Sequence, residues 1–303
     1  MGVEVNSVPP SLPGIEIVSK IGEGGMSTVW KGIDLRHGRV VAVKVLDVEF
    51  TKNAKDVERF ESEERTMELL DHAGIVKSYE MRHTDGMWYY IMEYVDGYNF
   101  RSLLDRKRHL PELDCLLICE SVSVALDYAW SGFGIVHCDI KPENIMINSE
   151  GVVKLTDLGL SHTFQHLKNG ALDVPDHVLG TPAYISPEQI YGDCEPDCRA
   201  DIYSLAATIF HLATGRVLFP GLDAEGMMRS HCSDACHSKD PRFYRPELSE
   251  GFCQLLEAML VKDREMRIGD WKEVYSLARD VENGVKFKPR AGGASSLGLG
   301  AGL

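Results

Sequence analysis

The chain has 303 residues, 44% of them hydrophobic and 26% charged, a composition typical of a globular protein with one large domain or two modest ones. Lys and Arg number 32 against 46 for Asp and Glu, and the formal net charge of −14 argues against a nucleic-acid partner, which would require a basic patch. No run of 18 apolar residues and no signal-peptide pattern occur, so we predict a cytoplasmic chain without a membrane segment, or the cytosolic part of a longer, membrane-anchored one.

An extended lead-in is predicted over residues 1–13, because three prolines there disfavour helical backbone. Strand patterns follow. Isoleucines alternate at positions 15, 17 and 21 towards a glycine-rich turn, and the run RVVAVKVL at 39–46 is rich in β-branched residues. Residues 87–94 predict a further strand, joined to the one before it through the hairpin dipeptide Asp85-Gly86. One helix is predicted over 56–70, which contains neither Gly nor Pro.

Helices dominate the pattern after residue 99. Between Leu113 and Trp130 the apolar residues that share one helical face are Ile118, Val122, Ala125, Leu126 and Ala129. The segment 202–213 is apolar nearly all round, which predicts a buried helix that ends at Gly215. A short hairpin is predicted from IMIN (145–148) to VVKL (152–155), and the Gly/Ala/Ser-rich segment 286–303 predicts a flexible tail.

Eight cysteines without an export signal are more typical of reduced thiols than of disulfides. Two sets nevertheless contain zinc-ligand residue types: Cys194 with Cys198, and the cluster His231, Cys232, Cys236 and His237. Their spacing is looser than the usual zinc pattern, and small core thiols are the main alternative. The sequence leaves both interpretations open.

Two local motifs point to nucleotide chemistry. In IGEGGMSTVW (21–30) three glycines allow backbone N–H groups to approach phosphates closely, although plain hairpins also contain such clusters. In VAVKV, strand alternation places Ala42 and Lys44 on one face. A lysine within an apolar strand is costly unless it is paired, and Glu63 on the predicted helix is the candidate partner.

The order of motifs resembles that of a protein kinase, and the residues within the motifs most resemble those of the bacterial, Hanks-type serine/threonine kinases. The resemblance covers about residues 14–284. The matching motifs in chain order are the glycine-rich loop to Val29, VAVK with Lys44, Glu63, IMEYV (91–95), HCDIKPEN (137–144), DLG (157–159), GTPAYISPE (180–188), DIYSL (201–205) and Arg267.

The resemblance implies an α+β, bilobal protein-kinase fold. A small N-lobe at 14–94 would consist of an antiparallel sheet with one helix, and a larger, mainly helical C-lobe would occupy 95–285. ATP would bind between the lobes, against the residues Ile21, Gly22, Gly24, Gly25, Val29, Ala42, Lys44, Met92, Glu93 and Val95.

The resemblance also implies the roles of the reacting groups. Asp139 would be the catalytic base and Lys141 would contact the γ-phosphate, while Glu63 would hold Lys44 on the α/β-phosphates. The hard oxygen ligands Asn144 and Asp157 would bind Mg²⁺, with Mn²⁺ as a substitute. The implied partners are ATP and a protein with a Ser or Thr hydroxyl, and a homodimer stays open.

Structural roles are implied for four further residues. Glu188 and Arg267 would form a buried ion pair, and Asp201 would brace the catalytic loop. Thr181 would bond to that loop and shape the platform for the substrate.

Three positions depart from the family pattern. Ser27 replaces the third glycine of the loop, and Leu158 replaces the usual Phe of DFG, where an apolar side chain can still fill a slot between His137 and Met67. Cys138 stands where many kinases have an Arg that pairs with a phosphorylated loop residue. The chain is therefore predicted to be of the non-RD type, and either active without phosphorylation of the loop, for example at Thr163, or controlled through another contact.

Two other function classes remain as alternatives. A pseudokinase would keep the fold and act as a binding or scaffold module, but the set Lys44, Asp139, Asn144 and Asp157 is intact. A small-molecule kinase would share part of the fold, but GTPAYISPE is typical of a platform for a peptide. A protein serine/threonine kinase is the function that the sequence favours.

Overall fold

The computed structural model describes residues 9–158, 180–192 and 194–285. Its first part is an antiparallel sheet of five strands in the order β1-β2-β3-β5-β4, accompanied by one α-helix. The elements in chain order are β1 (Ile15–Glu23), β2 (Ser27–Asp34), β3 (Arg39–Leu46), α1 (Ala54–Glu68), β4 (Ser78–Thr84) and β5 (Met87–Glu93). A short 3-10 helix, Phe50–Lys52, precedes α1.

Alternation along β3 separates two hydrophobic layers, as the sequence predicts. Val41, Val43 and Val45 pack on the outer face of the sheet, whereas Ala42 belongs to the main core that continues into the helical part. Lys44 shares the inner face with Ala42, and its neighbour across the sheet is Tyr90. The sheet therefore directs the one charged side chain of this strand's inner face towards the helix α1.

The outer layer extends into the predicted lead-in. Leu12 is 5% exposed, packs with Ile15 and Trp30, and forms a bridge to Ile15. The backbone carbonyl of Pro13 accepts a hydrogen bond from Arg82 at 3.1 Å. Packing of the sheet thus begins before residue 14. The domain boundaries predicted at 14, 95 and 286 stay predictions, and residues 1–8 and 286–303 lie outside the described residues.

The second part is mainly helical. Its elements are β6 (Gly97–Asn99), α2 (Phe100–Lys107), α3 (Glu112–Phe133), β7 (Ile145–Asn148), β8 (Val153–Leu155), α4 (Pro187–Tyr191), α5 (Cys198–Thr214), α6 (Ala224–Cys232), α7 (Glu250–Met259) and α8 (Trp271–Glu282). The strands β6, β7 and β8 form a small antiparallel sheet. Short 3-10 helices occur at Pro142–Asn144 and Pro241–Phe243. The predicted antiparallel sheet with one helix, followed by a helical part, is confirmed.

The predicted helices occur with shifted ends. The helix expected at 56–70 is Ala54–Glu68, because the Asn53 side chain accepts a hydrogen bond from Lys55 N and caps the helix earlier. In α3 the predicted apolar face is buried in the main core. Helix α5 is buried along nearly its whole length and ends at Gly215, which has the left-handed φ of 72°.

Helix α5 forms the centre of the helical part because it is apolar on every side. Its side chains pack with those of α3, α7 and α8 in one continuous core that also includes Ala42 and Leu46 from β3. Within 9–158, 180–192 and 194–285, no helix combines the length and the apolar character that crossing a bilayer requires.

Candidate active site

Lys44 lies at the junction of the sheet, the helix α1 and the segment after β8. Its Nζ donates to Glu63 Oε1 at 2.5 Å and to Asp157 Oδ1 at 2.7 Å. Tyr90, the residue opposite Lys44 on β5, donates its hydroxyl to the same Oε1 of Glu63 at 2.7 Å. The predicted Lys44–Glu63 pair is therefore present, and Asp157 joins it from 113 residues further along the chain.

Burial and charge act on this cluster in opposite directions. Burial lowers the pKa of Lys44, but the carboxylates of Asp157 and Glu63 outweigh it and hold that pKa well above its usual range. Burial raises the pKa of Asp157, but Lys44 outweighs that effect and the net pKa is lowered. Burial and the charge of Glu63 raise the pKa of the Tyr90 phenol. At neutral pH the cluster therefore contains an ammonium between two carboxylates.

Asp139 is fixed by three side chains. Lys141 Nζ donates to its Oδ2 at 2.6 Å, the Thr181 hydroxyl donates to its Oδ1 at 2.9 Å, and Asn144 Nδ2 donates to its Oδ2 at 3.1 Å. Lys141 also donates to Thr181 Oγ1 at 3.0 Å, which closes a ring of bonds. The predicted bond between Thr181 and the catalytic loop is thus present, and each oxygen of Asp139 has a defined direction.

Asp201 supports the loop from below. Its carboxylate accepts hydrogen bonds from the backbone N–H of His137 at 2.6 Å and of Cys138 at 2.8 Å. Burial raises the pKa of Asp201 to about 6, even though His137 and these backbone bonds lower it. Asp201 is 1% exposed and comes from α5, so the buried helix fixes the backbone that carries Asp139.

Cys138 is a buried residue of the catalytic loop itself. Its backbone has a left-handed φ of 65°, and the side chain is 2% exposed. Burial, with the nearby carboxylates of Asp201 and Asp139, raises the pKa of its thiol well above the usual value, which disfavours a reactive thiolate. The Gln189 side chain donates to the Cys138 carbonyl at 2.8 Å. The position is packed and uncharged.

The two predicted metal ligands are adjacent through the backbone. Thr156 N donates to the Asn144 carbonyl at 3.0 Å, which places Asp157 beside Asn144. The side-chain nitrogen of Asn144 donates to Asp139, so the side-chain oxygen is the atom that could bind a cation. Asp157 uses Oδ1 on Lys44, and its side chain remains 40% exposed. One amide oxygen and one carboxylate suit Mg²⁺, which keeps several water or phosphate ligands of its own.

The first predicted nucleotide-binding residues lie on β1 and β2 and in the glycine-rich turn that joins them. Gly22 and Val29 are paired across β1 and β2, and the Gly24 N–H donates to the Ser27 carbonyl at 2.8 Å, which closes the turn. A side chain at Gly25 would meet nothing within 4 Å, and Ile21 is 46% exposed.

The remaining predicted nucleotide contacts lie on β3, β5 and the chain after it. Ala42 and Met92 are paired across β3 and β5 and are buried in the main core. Glu93 donates its N–H to the Lys77 carbonyl at 2.9 Å, and its side chain pairs with Lys154 at 2.9 Å. Val95 is buried at the start of the helical part.

The departure at Leu158 and the predicted structural ion pair both fit their surroundings. Leu158 is 1% exposed, and His137 and Met67 are both fully buried, consistent with the slot predicted for an apolar side chain. Glu188 and Arg267 form the predicted buried pair, with Arg267 Nη1 to Glu188 Oε1 at 2.7 Å. Gly159 and Thr163 lie outside the described residues.

None of the eight cysteines takes part in a disulfide. Cys198 is buried and directs its sulfur to the Gly269 carbonyl at 3.5 Å, whereas the exposed Cys194 accepts from Arg264 at 2.9 Å. No group of three or more His, Cys, Asp or Glu side chains among the described residues is arranged to hold a metal. The zinc alternative gains no support from this arrangement.

Several contacts of the site were not predicted from the sequence, and two of them show why. Tyr90 on Glu63 follows from the β3–β5 register, which the sequence does not reveal. Gln189 reaches Cys138 over 51 residues, and nothing in the local pattern of SPEQ distinguishes that glutamine from a helix-capping residue. Both contacts depend on long-range packing.

A family model described as "Protein kinase domain" matches residues 15–277 of the chain. The chain belongs to the protein kinase family. The serine/threonine-protein kinase PrkC of Bacillus subtilis (strain 168) is 30% identical to this kinase domain over 271 residues, which are 89% of this chain and 40% of PrkC. The serine/threonine-protein kinase PknA of Mycobacterium tuberculosis (strain ATCC 25618 / H37Rv) is 35% identical over 253 residues, which are 82% of this chain and 56% of PknA.

Among solved structures, a double-mutant kinase domain of PknI from Mycobacterium tuberculosis is similar to this kinase domain with a TM-score of 0.70. The likeness covers 90% of this chain and 97% of the PknI chain at 24% identity, which establishes the bilobal kinase fold. This kinase domain spans 40% to 56% of the length of PrkC and PknA.

Proposed function

We propose that the chain is a Mg-ATP-dependent protein serine/threonine kinase that transfers the γ-phosphate of ATP to a Ser or Thr hydroxyl of a protein. The observation that carries the proposal is the ring of bonds that Lys141 and Thr181 form on Asp139, beside the cluster of Lys44, Glu63 and Asp157. Phosphoryl transfer depends mainly on positioning and charge, and this site supplies both from rigid elements.

Asp139 would act on the substrate hydroxyl. Its oxygens are oriented by Lys141, Thr181 and Asn144, so a hydroxyl that donates to it would be aligned for attack on the γ-phosphate. Lys141 would shift its ammonium towards that phosphate while staying within reach of Asp139. The chain's own contribution is thus orientation of the nucleophile and a fixed positive charge.

Lys44 would hold the α- and β-phosphates. Glu63 and Tyr90 fix its position, and Asp157 competes for the same ammonium. The side-chain oxygens of Asn144 and Asp157 would hold Mg²⁺, which neutralises phosphate charge when it is bound; Mn²⁺ has the same oxygen preference.

The adenine would lie between Ala42, Val29 and the chain after β5. The backbone N–H of Glu93 already donates to the Lys77 carbonyl, so Glu93 would contact the adenine through its own carbonyl, as an acceptor. We propose the backbone N–H of Val95 as the donor to the adenine. The glycine-rich turn at 22–25 would cover the phosphates.

The test is phosphate transfer from labelled ATP with Mg²⁺ to the protein itself and to a generic basic protein. We expect transfer by the wild type and a loss of about 10²- to 10⁴-fold in Asp139→Asn, because the amide cannot accept the proton. Asp105→Asn, which alters an exposed ion pair on α2, serves as the matched control and should keep wild-type activity.

Folding and nucleotide binding are monitored by the rise in Tm that Mg-ATP produces. A folded wild type that binds ATP and transfers no phosphate would contradict the proposal and favour the pseudokinase alternative. Transfer that survives in Asp139→Asn would contradict the role proposed for Asp139 but not the kinase function.

Activity without loop phosphorylation is a second part of the proposal. Cys138 is buried and uncharged where a phosphate-pairing Arg would be needed, so modification of Thr163 has no partner there. We expect Thr163→Ala to retain activity similar to the wild type in the same assay. Strong activation of the wild type upon phosphorylation of Thr163, absent from the alanine variant, would contradict this expectation. Homodimerisation and the location in the cell remain predictions.

A further inference from the structure

Two buried tyrosine–histidine pairs adjoin the segment 180–186, which carries Thr181. The hydroxyl of Tyr203 lies 2.8 Å from Nδ1 of His231, and the hydroxyl of Tyr184 lies 2.7 Å from Nδ1 of His211. All four side chains are at most 7% exposed. Tyr203 and His211 both belong to α5, so the central helix anchors both pairs.

The two histidines are neutral at pH 7. Burial lowers the pKa of His211 to about 4, with a further contribution from Arg101, and burial together with Lys262 lowers the pKa of His231 to about 4. The hydroxyl of Tyr203 and Nδ1 of His231 share one hydrogen bond, and the carbonyls of Pro182 and Ala183 next to the ring can only accept. Both neighbours are satisfied when the hydroxyl donates to Nδ1 and the ring proton lies on Nε2, so we assign this tautomer. The ring therefore presents one N–H donor on the side away from Tyr203.

That donor faces the backbone of the segment. Nε2 of His231 is buried and makes no hydrogen bond with the described residues. The backbone carbonyls of Pro182 and Ala183 lie close enough to raise the pKa of the ring, although burial and Lys262 lower it by more. An unpaired buried donor is unfavourable, so the ring favours positions of the segment that bring one of these carbonyls into bonding range. Pro182 and Ala183 directly follow Thr181, which holds Asp139.

His231 itself is held rigidly. Phe219 packs edge-on against the ring with centroids 5.0 Å apart. Lys262 Nζ donates to the Ser230 carbonyl at 2.7 Å and also to the carbonyls of Ser233 and Cys236, which fixes the end of α6. The ring of His231 is therefore packed on one side, and the end of the helix that carries it is tied to Lys262.

The support is continuous with the structural ion pair. The Arg267 guanidinium lies 5.0 Å from the centre of the Tyr203 ring and pairs with Glu188, the residue that ends the GTPAYISPE motif. A chain of contacts thus runs from Glu188 through Arg267 and Tyr203 to His231, whose ring adjoins the backbone of Pro182 and Ala183. One buried network therefore adjoins both Glu188 and the residues that directly follow Thr181.

We propose that His231, oriented by Tyr203, is a positioning residue that sets the backbone of 181–183 for the protein substrate. It would therefore govern the affinity for the protein substrate and leave the affinity for ATP unchanged. This inference rests on the proposed kinase function.

The experiment compares Tyr203→Phe, His231→Phe and His231→Gln with the wild type. The KM for a generic basic protein and the KM for ATP are measured separately with labelled ATP. We expect Tyr203→Phe and His231→Phe to raise the KM for the protein about three- to tenfold, the equivalent of one hydrogen bond, with an unchanged KM for ATP. His231→Gln places an amide donor near the position of Nε2 and should recover most of the wild-type KM.

Arg229→Gln is the matched control on the same helix, because it alters only an exposed ion pair with Glu225 and should leave both KM values unchanged. Unchanged KM values in all variants would overturn the inference, as would equal changes in both KM values, which indicate general loosening. Failure of His231→Gln to improve on His231→Phe would also overturn it. If His231→Phe does not fold, Tyr203→Phe decides.

Amide hydrogen exchange of 181–185 is a readout independent of transfer. Faster exchange there in Tyr203→Phe and His231→Phe, but not in Arg229→Gln, supports the positioning role, and unchanged exchange contradicts it. A wild type that transfers no phosphate defeats the proposed function, and the exchange experiment still decides the role of His231.

Discussion

Lys44 shows how single residues acquire their function from charge and burial together. An ammonium on the inner face of a strand is unfavourable by itself, and Glu63 and Asp157 make it tenable. The same pairing holds Lys44 where the phosphates of a nucleotide would reach it. At this scale the balance of two carboxylates around one ammonium determines how the site responds to pH.

The lowered pKa of Asp157 predicts how stability depends on pH. A carboxyl whose pKa is lower in the folded state contributes stability above its unfolded pKa, and that contribution is lost as the pH falls through the folded value. The unfolding free energy of the wild type minus that of Asp157→Asn should therefore decrease from about pH 5 downwards. Urea denaturation of both proteins between neutral and acidic pH measures this difference. A difference that is flat or that grows on acidification would contradict the prediction.

Among the elements, the small sheet of β6, β7 and β8 pairs the chain just after IMEYV (91–95) with the chain just after the catalytic loop. Gly97 on β6 pairs with Asn148 on β7 so closely that an added Cβ would lie 1.9 Å from the Ile147 carbonyl oxygen. Since β7 directly follows Asn144, the spacing of these strands also affects the predicted metal ligand. Glycine is required here by the approach of two backbones and not by its φ angle.

Gly97→Ala is expected to lower the unfolding free energy by about 1–3 kcal/mol, because the strands must separate to admit the methyl group. Gly132→Ala is the matched control, since it lies on α3 with nothing within 4 Å of the added carbon. That change should raise the unfolding free energy by about 0.5–1 kcal/mol. Urea denaturation measures both, and equal effects of the two substitutions would refute the strand-spacing argument.

For the whole molecule, the helix α5 links the catalytic loop to the substrate segment. Asp201 on this helix holds the loop, His211 contacts Tyr184 of the segment 180–186, and Tyr203 contacts His231. The Glu188–Arg267 pair closes the arrangement, with the Arg267 side chain fully buried. Because these contacts share one buried helix, damage at one of them should affect both the loop and the segment.

Glu188→Gln is expected to destabilise the protein by about 3–5 kcal/mol, since it leaves the buried guanidinium of Arg267 without its counter-ion. Arg65→Gln, which alters an exposed pair with Glu61, should cost no more than about 1 kcal/mol. The midpoint of urea unfolding measures both changes. Similar losses for the two variants would show that burial does not control the strength of the pair.

The sequence by itself determined the kinase family and the candidate active site, because short motifs at family spacing carry both. The alternation of β3 also followed from sequence, since a two-residue period fixes which side chains share a face. Both ends of α1 lie two residues before the predicted ones, because several polar residues near its start could have capped the helix and Asn53 is the one that does.

Only the tertiary structure decided which groups meet across long stretches of chain. Strand register and helix packing, which no local pattern encodes, determine two hydrogen bonds and one unpaired donor. These are the bond from Tyr90 to Glu63, the bond from Gln189 to Cys138 and Nε2 of His231. Burial of Cys138 likewise follows from the packing beneath the catalytic loop. Hydrogen-bond geometry is set over a few ångströms, and residues more than 25 positions apart reach that range only when the whole core is assembled.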